Sequence, residues 1–302
     1  VNGQTNETEK AALPVFVNAL TGCDPRNLEQ VHARMDVVMA GHTALKCGID
    51  TACSDILGKA ASLPLWQLLG GHSHIVTTDI TIPIGTPAQM VASARTYVAA
   101  GFTALKLKAG DNEAADIAAI NAVCAAVGPT ISVKVDANQA WTVSQTLRIA
   151  AQLRAPNLIA IEQPVPDWQL LSLPLLRAQS PVALMLDESI HNAHDAADAI
   201  RLNAADLINI KLAKSGGLFG AAAIDATAAA AGVPCMVGCN AETRLGTAAS
   251  AHFIAAHENV HYGDIDSFML LAETDWLSGG FTADGPTLTL SDRPGLGVDV
   301  RL

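Results

Sequence analysis

Three carboxylates at the ends of short apolar runs suggest a metal site. Asp136, Glu162 and Asp187 follow one another at intervals of roughly 25 residues, about one strand-plus-helix unit of a parallel barrel. Neighbouring strands would bring the three carboxylates together, where their like charges repel. A divalent cation would relieve the repulsion, and ligation by oxygen alone favours Mg²⁺ or Mn²⁺. The alternative is that each acid caps a following helix, but three at consecutive strand ends favour a metal.

Three lysines lie at strand ends on either side of these carboxylates. Lys106 and Lys108 alternate in Ala-Leu-Lys-Leu-Lys-Ala, and Lys211 lies in Ile-Asn-Ile-Lys-Leu-Ala. We expect Lys108 and Lys211 to face each other as two bases across a metal-bound substrate. Lysine is a poor base at its ordinary pKa of about 10.4, but a neighbouring cation lowers that pKa, and Lys106 would supply it. The alternative, surface lysines in salt bridges, fits these apolar surroundings less well.

Such a site predicts chemistry at the α-carbon of a small carboxylate substrate. One lysine would remove the α-proton, and the metal would stabilise the enediolate charge. Reprotonation by the other lysine would invert the centre, as in a racemase or epimerase. Departure of a β-group would instead make the protein a dehydratase or a cycloisomerase. A non-catalytic barrel that binds a metal or a small acid is a further alternative, although binding alone does not require a base on each face.

Apolar runs that alternate with alanine-rich helical patterns would position these side chains. The predicted strands are Ile75–Pro83, Thr103–Lys108, Ile131–Asp136, Leu158–Glu162, Ala183–Asp187, Asp206–Lys211, Cys235–Gly238 and Val260–Asp264. The predicted helices between them are Pro87–Ala100, Asn112–Val127, Val143–Leu153, Trp168–Ala178, Ala193–Leu202, Gly217–Ala231 and Thr243–His257. Eight strands with seven intervening helices predict an α/β barrel, whose chemistry belongs at the C-terminal ends of the strands.

The segments on either side of the barrel predict a smaller second domain. Residues 1–72 read as the mostly helical part of an N-terminal cap, 73–275 as the barrel and 276–302 as a segment that returns to the cap. The predicted cap helices are Asn6–Leu20, Asn27–Ala40 and Ala44–Ala60, and the predicted C-terminal strands are Thr287–Leu290 and Val298–Arg301.

Composition narrows the class of protein. The chain has 302 residues, a formal charge of −11 and a mean hydropathy of +0.29. This hydropathy excludes disorder, and the pI near 5.1 disfavours a nucleic-acid partner. No run reaches the roughly 18 apolar residues of a membrane span, and no signal peptide is visible. We therefore predict a cytoplasmic protein without a membrane partner, whose six cysteines are reduced thiols.

The ordered motifs resemble the enolase superfamily. Lys-x-Lys, Asp-x-Asn, Glu-Gln-Pro, Asp-Glu-Ser and Ile-Lys-Leu-Ala-Lys-Ser-Gly-Gly occur in that family's order and at similar spacing. A lysine on each face is typical of the branch of muconate lactonizing enzymes and dipeptide epimerases. The resemblance implies a modified TIM barrel, (β/α)₇β, with a small α+β capping domain, and a possible homo-oligomer. The family's cap begins with a three-stranded sheet, and this chain starts at what resembles the segment after it, so we expect unpaired cap strands and an incomplete lid.

Dipeptide epimerases are the closest resemblance within that branch. Asp264 and Asp266 resemble the Asp-x-Asp pair that holds the substrate's α-ammonium in those enzymes. Two carboxylates opposite a carboxylate-binding metal also suit a zwitterionic substrate. The alternative is that Asp264 and Asp266 belong to a solvated turn after a buried strand. Asn138, and Glu242 in a loop similar to the one after the family's seventh strand, are assigned to substrate binding. Two further residues are assigned to contacts with the metal ligands or lysines, namely Glu188 and Gln163.

Overall fold

The computed structural model describes residues 3–71, 73–272 and 275–301, and it begins with helices. The bounds are α1 (Asn6–Leu20), α2 (Leu28–Val38), α3 (Thr43–Ala61) and α4 (Leu65–Leu68). The side chains of Thr5 and Asn27 accept backbone N–H groups of the first turns of α1 and α2, which satisfies donors that a helix start leaves free. Phe16 and Met35 are fully buried and join these helices in a small apolar core.

Eight parallel strands follow one another around a barrel in chain order. They are β2 (Ile80–Ile82), β3 (Ala104–Lys108), β4 (Ser132–Asp136), β5 (Leu158–Glu162), β6 (Leu184–Leu186), β7 (Leu207–Ile210), β8 (Cys235–Gly238) and β9 (Val260–Asp264). The barrel closes by hydrogen bonds beside β2 and β9. The backbone N–H of Asp79 donates to the carbonyl of Gly263 at 3.0 Å, and that of Ile265 donates to the Thr78 hydroxyl at 2.9 Å. This confirms the predicted α/β class and TIM-like barrel.

The helices that connect the strands cover the outside of the barrel, as predicted for βα units, and two short helices, Leu212–Ser215 and Ser267–Leu270, lie at its mouth. Together these helices are α5 (Pro87–Ala99), α6 (Glu113–Val127), α7 (Val143–Ala150), α8 (Leu173–Gln179), α9 (Ala193–Arg201), α10 (Leu212–Ser215), α11 (Leu218–Ala230), α12 (Arg244–Ala256) and α13 (Ser267–Leu270). The side chains of Thr86, Asn112, Thr142 and Asn192 accept backbone N–H groups at four helix starts. Apolar faces of strands and helices form the main core between the two layers.

Two predicted elements are wrong in their continuity. The expected strand Ile75–Pro83 is divided into β1 (Ile75–Thr77) and β2. The chain changes partners there, because the N–H of Thr78 donates to the carbonyl of Pro286 at 2.9 Å while that of Asp79 turns to the barrel. The expected helix Trp168–Ala178 is a 3₁₀ helix, Asp167–Ser172, followed by α8.

The C-terminal strands have partners, contrary to the expectation of unpaired cap strands. The strand β12 (Thr287–Leu290) pairs with β1 and with β11 (Phe281–Asp284), and β13 (Val298–Val300) pairs with β10 (Leu277–Gly279). β10 and β11 were not predicted. Gly295 then exchanges backbone hydrogen bonds with the segment that leads into α4.

Two further observations concern the chain as a whole. Within the described ranges, no helix is long and apolar enough to cross a membrane. All six cysteines lie in the described part of the chain and are free thiols, as expected.

Candidate active site

The strands bring the three predicted metal-binding carboxylates to one mouth of the barrel. Asp136 ends β4 and is the register partner of Glu162, which ends β5, and Asp187 directly follows β6. All three side chains are fully buried. Adjacent parallel strands end at the same edge of a sheet, so the even spacing along the sequence becomes proximity in the fold.

Lysine ammonium groups are the donors that reach the buried outer oxygens of two of these carboxylates. Glu162 Oε2 lies 3.0 Å from the Lys106 Nζ and Asp187 Oδ2 lies 2.6 Å from the Lys211 Nζ, and no other donor among the described residues reaches either oxygen. Burial and, next, the Asp136 carboxylate raise the pKa of Glu162 to about 7. Burial opposes charge at Asp187 as well, but the Lys214 and Lys211 ammonium groups lower its pKa. Clustered buried carboxylates, with oxygens that only mobile side-chain cations contact, are a donor set that fits a hard divalent cation.

Lys106 lies deeper among the acids than its predicted role requires. Its buried Nζ is 3.0 Å from an oxygen of Asp136, 3.0 Å from one of Glu162 and 2.6 Å from one of Asp264. Burial disfavours its charge, but the surrounding carboxylates outweigh this effect and raise its pKa. Lys106 therefore compensates negative charge among the acids, beyond the predicted role as the cation beside Lys108.

The two proposed bases come from opposite sides of the barrel. Lys108 ends β3, and its Nζ donates to Asp136 at 2.6 Å and to Asn138 at 2.7 Å. Lys211 directly follows β7, four strands away in the sheet order, and its Nζ is 2.6 Å from Asp187 Oδ2. Both lysines line one cavity of about 510 Å³. Each is thus held at the mouth by a carboxylate of the predicted metal set.

The acids of the last barrel strand line the same cavity. Asp264 ends β9 and pairs with Lys106, while Asp266 Oδ2 accepts the backbone N–H of Thr81 at 2.7 Å. Cys239 also lines the cavity, and its thiol lies 3.8 Å from Asp266 Oδ1. Among the described residues, only Cys239, Asp264 and Asp266 place three potential ligand atoms within 4.8 Å of one another. The predicted metal ligands are spread more widely, with the Lys106 ammonium beside two of them.

The other predicted residues divide between the cavity and its surroundings. Asn138 and Glu188 line the cavity, and the Asn138 amide donates to Glu188 at 3.1 Å. Gln163 lies behind the metal set and accepts the backbone N–H of Asp187 at 3.0 Å. Glu242 instead lines a neighbouring cavity between α3, α10 and α12. The loop after β8 turns its carboxylate there, so the structure does not bring Glu242 to the predicted substrate site.

Two buried residues at this site were not singled out from sequence. The Lys214 Nζ donates to Asp187 Oδ1 at 2.5 Å, and burial lowers the pKa of this lysine. The Asn209 amide donates to Glu162 Oε1 at 2.7 Å. Asn209 lies two residues before Lys211, and that spacing was a usable signal because alternate residues of a strand share a face.

Comparison with known proteins places this geometry in a family. The model described as "Enolase C-terminal domain-like" matches residues 89–302, and that of the mandelate racemase / muconate lactonizing enzyme N-terminal domain matches residues 1–70. The chain is 39% identical over 300 residues to the hydrophobic dipeptide epimerase of Enterococcus faecalis, covering 99% of this chain and 84% of the relative. It is 36% identical to the L-Ala-D/L-Glu epimerase of Bacillus subtilis, covering 96% and 80%.

A solved structure extends the similarity to the whole fold. The dipeptide epimerase from Enterococcus faecalis, complexed with Mg and the dipeptide L-Leu-L-Tyr, superposes with a TM-score of 0.95. It is 38% identical in sequence, and the match covers 99% of this chain and 85% of that structure. Together these matches show that the chain belongs to the mandelate racemase / muconate lactonizing enzyme family of the enolase superfamily.

Proposed function

We propose that this protein is an isomerase, a Mg²⁺-dependent racemase or epimerase that inverts the α-carbon of an amino-acid derivative, with dipeptides favoured. The observation that carries the proposal is the pair Lys108 and Lys211, which reach one cavity from opposite sides of the barrel. Inversion requires a base on one face of the carbon and an acid on the other, which this arrangement supports. The relatives named as epimerases support the same class of reaction.

The carboxylates that would hold the cation are Asp136, Glu162 and Asp187. Their three buried carboxyl groups cluster at one mouth of the barrel, and Glu162 Oε2 and Asp187 Oδ2 have only lysine ammonium groups beside them among the described residues, which supports a bound cation in the working protein. Mn²⁺ has similar ligand preferences and is a possible substitute. When bound, the cation would supply positive charge beside the substrate carboxylate, where negative charge develops as the α-proton leaves.

The two lysines would then exchange the roles of base and acid. In one direction the neutral amine of one lysine takes the α-proton at its Nζ, and the ammonium of the other returns a proton from the opposite face. Asp136 and Asn138 orient the Lys108 Nζ, and Asp187 orients that of Lys211. In the reverse direction the two Nζ atoms exchange these roles, so a single pair of lysines serves both epimers.

Asp264 and Asp266 would receive the substrate ammonium at the other side of the cavity. Asp264 already pairs with Lys106, whereas Asp266 is held only by the Thr81 N–H and the Cys239 thiol among the described residues. Asp266 therefore carries the less compensated charge toward the cavity. A cavity with acids at one end and cation-binding carboxylates at the other suits a zwitterion such as a dipeptide.

The test is solvent exchange in D₂O with single lysine variants. With Mg²⁺ and L,L-dipeptides, we expect the unmodified protein to give diastereomers that carry deuterium, and to lose this activity with a chelator. Lys108→Ala and Lys211→Ala should each lower inversion by at least roughly 10²–10⁴-fold, yet each should retain α-proton exchange in one epimer. The exposed Lys10 serves as the matched control, and Lys10→Ala should behave as the unmodified protein.

Several outcomes would refute the two-base proposal. Inversion that persists in either single variant would exclude the scheme of one lysine on each face. Loss of water from a hydroxylated substrate would assign the protein to dehydratases, and ring closure without inversion to cycloisomerases. The absence of exchange in every dipeptide and N-acyl amino acid tested would exclude the proposed substrate class.

A further inference from the structure

Asn209 is a buried polar residue that the proposed reaction does not use. It lies on β7, where side chains alternate between the barrel interior and the surrounding helices. Leu207 belongs to the interior apolar cluster, and Ile208 and Ile210 belong to the cluster against the helices. Asn209 therefore faces the interior on the same side as Lys211, and its side chain is fully buried.

The amide group of Asn209 is directed at the middle carboxylate of the metal set. Its Nδ2 donates to Glu162 Oε1 at 2.7 Å. Since a carboxylate only accepts, this contact fixes which end of the amide faces Glu162. The other oxygen, Glu162 Oε2, has only the Lys106 ammonium beside it, at 3.0 Å. One oxygen is thus held by the amide, while the other faces a lysine cation.

The next strand prevents the amide from moving aside. A Cβ built at Gly238 on β8 would lie 2.7 Å from Asn209 Oδ1 and 2.8 Å from its Nδ2, closer than real contacts allow. Only glycine at this position leaves room for the amide where it stands. Glu162 on one side and the backbone of Gly238 on the other therefore confine the Asn209 side chain.

A role in core packing alone does not explain an asparagine here. Its Oδ1 is fully buried and accepts no hydrogen bond within the described structure, an arrangement that is unfavourable in a protein interior. Leucine has nearly the same size and would fill the same space without an unpaired polar atom. The single hydrogen bond that asparagine adds, to Glu162, is what distinguishes it from leucine.

We propose that Asn209 is a positioning residue for the metal, which holds Glu162 through Oε1 so that Oε2 is presented to the cation. This inference rests on the proposed function, because it requires Glu162 to be a ligand. Residues that orient a metal ligand from behind typically change metal affinity by roughly 10- to 100-fold when they are replaced. The predicted effect is therefore on binding of the ion itself, before any substrate is present.

The experiment is titration calorimetry of Mg²⁺ alone into purified variants, with Mn²⁺ followed by electron paramagnetic resonance as a second readout. Asn209→Leu should bind Mg²⁺ roughly 10- to 100-fold more weakly than the unmodified protein. Gly238→Ala should weaken binding in the same direction, because its methyl group displaces the amide. Asn157 is the matched control: it is also buried, but its amide donates to the carbonyls of Gly128 and Ile131, away from the cavity.

Each outcome decides the inference. Asn157→Ala should lose stability but keep its Mg²⁺ affinity, which separates positioning from general destabilisation. An Asn209→Leu variant that binds within about twofold of the unmodified protein would overturn the inference, since a true positioning residue has a larger effect. If Asn209→Leu does not fold, Asn209→Ser replaces it, because its short hydroxyl does not reach Glu162, and unchanged affinity there is equally decisive. Failure of the unmodified protein to bind Mg²⁺ would overturn the proposed function together with this inference.

Discussion

A buried ion pair inside the barrel gives a quantitative prediction about its stability. Lys134 lies on β4, two residues before Asp136, and its Nζ is 2.6 Å from Asp79 Oδ2. Both side chains are about 1% exposed, and the Lys134 ammonium also lies 3.2 Å from Met236 Sδ and 5.4 Å from the centre of the Tyr262 ring. Burial raises the pKa of Asp79, and the Lys134 ammonium opposes that effect. Each buried charge is therefore stabilised by the other.

Removing one partner leaves the other as an unpaired buried charge, so the losses of stability in the two single variants should not add in the double variant. Lys134→Met keeps the length of the side chain but leaves the Asp79 carboxylate buried alone, which costs about 3–5 kcal/mol of unfolding free energy. For a chain of this size the loss corresponds to a fall in Tm of roughly 10 °C. The double variant Asp79→Leu with Lys134→Met leaves no isolated charge, so its loss should be smaller than the sum of the two single losses.

Urea unfolding at pH 7, followed by circular dichroism, measures these free energies. Lys10→Ala, which removes an exposed lysine from α1, serves as the control and should change stability by less than about 0.5 kcal/mol. The reasoning about mutual compensation would be refuted if Lys134→Met lost less than about 1 kcal/mol, or if the losses of the two single variants simply added in the double variant.

Two further predictions concern pH and backbone strain. Burial lowers the pKa of His252 to about 4, so between pH 4 and the ordinary value near 6.5 the unfolded chain binds the proton more readily. The contribution of neutral His252 to the free energy of unfolding should be complete above pH 6.5. It should fall by up to about 3 kcal/mol as the pH drops toward 4. His252→Gln should flatten this slope in urea midpoints measured from pH 4 to 7, and an unchanged slope would contradict the assignment. Gly217 has φ +118° and faces the Asp50 carboxylate, which a Cβ would approach to 2.3 Å. Gly217→Ala should therefore lower the Tm well beyond the control Gly232→Ala, whose Cβ meets open space, and equal losses would refute the close contact.

The barrel could be predicted because each of its strands carries two local signals. An apolar run such as Leu158–Glu162 predicts a strand buried on both faces, and the charge at its end marks the mouth of the barrel. Even spacing then implies neighbouring strands, which is why Asp136 and Glu162 meet in register. Both signals lie within a few residues of sequence, so they can be recognised without any knowledge of the tertiary contacts.

The unpredicted features depend on distant partners. The run Ile75–Pro83 reads as one strand rich in β-branched residues, and only the pairing of β1 with β12 reveals that it divides. The position of the Glu242 backbone depends on Ser267, whose hydroxyl accepts its N–H at 3.1 Å. Similarly, the Lys106 Nζ reaches Asp264 past the intervening strand β2, and strand alternation gives only the face from which that long side chain starts.

The pairing of β1 with β12 also bears on the order in which the molecule can assemble. β1 leads directly into β2, yet its partner strand is synthesised roughly 200 residues later, which at about 5–20 residues per second amounts to roughly 10–40 s on a ribosome. Until then β1 has no partner strand, and the outer edge of β2 has none until β9 is made, about 180 residues after it. Sealing of the barrel is therefore a late event with a large loop-closure cost. We expect the growing chain to expose a strand edge that a chaperone can recognise during this interval.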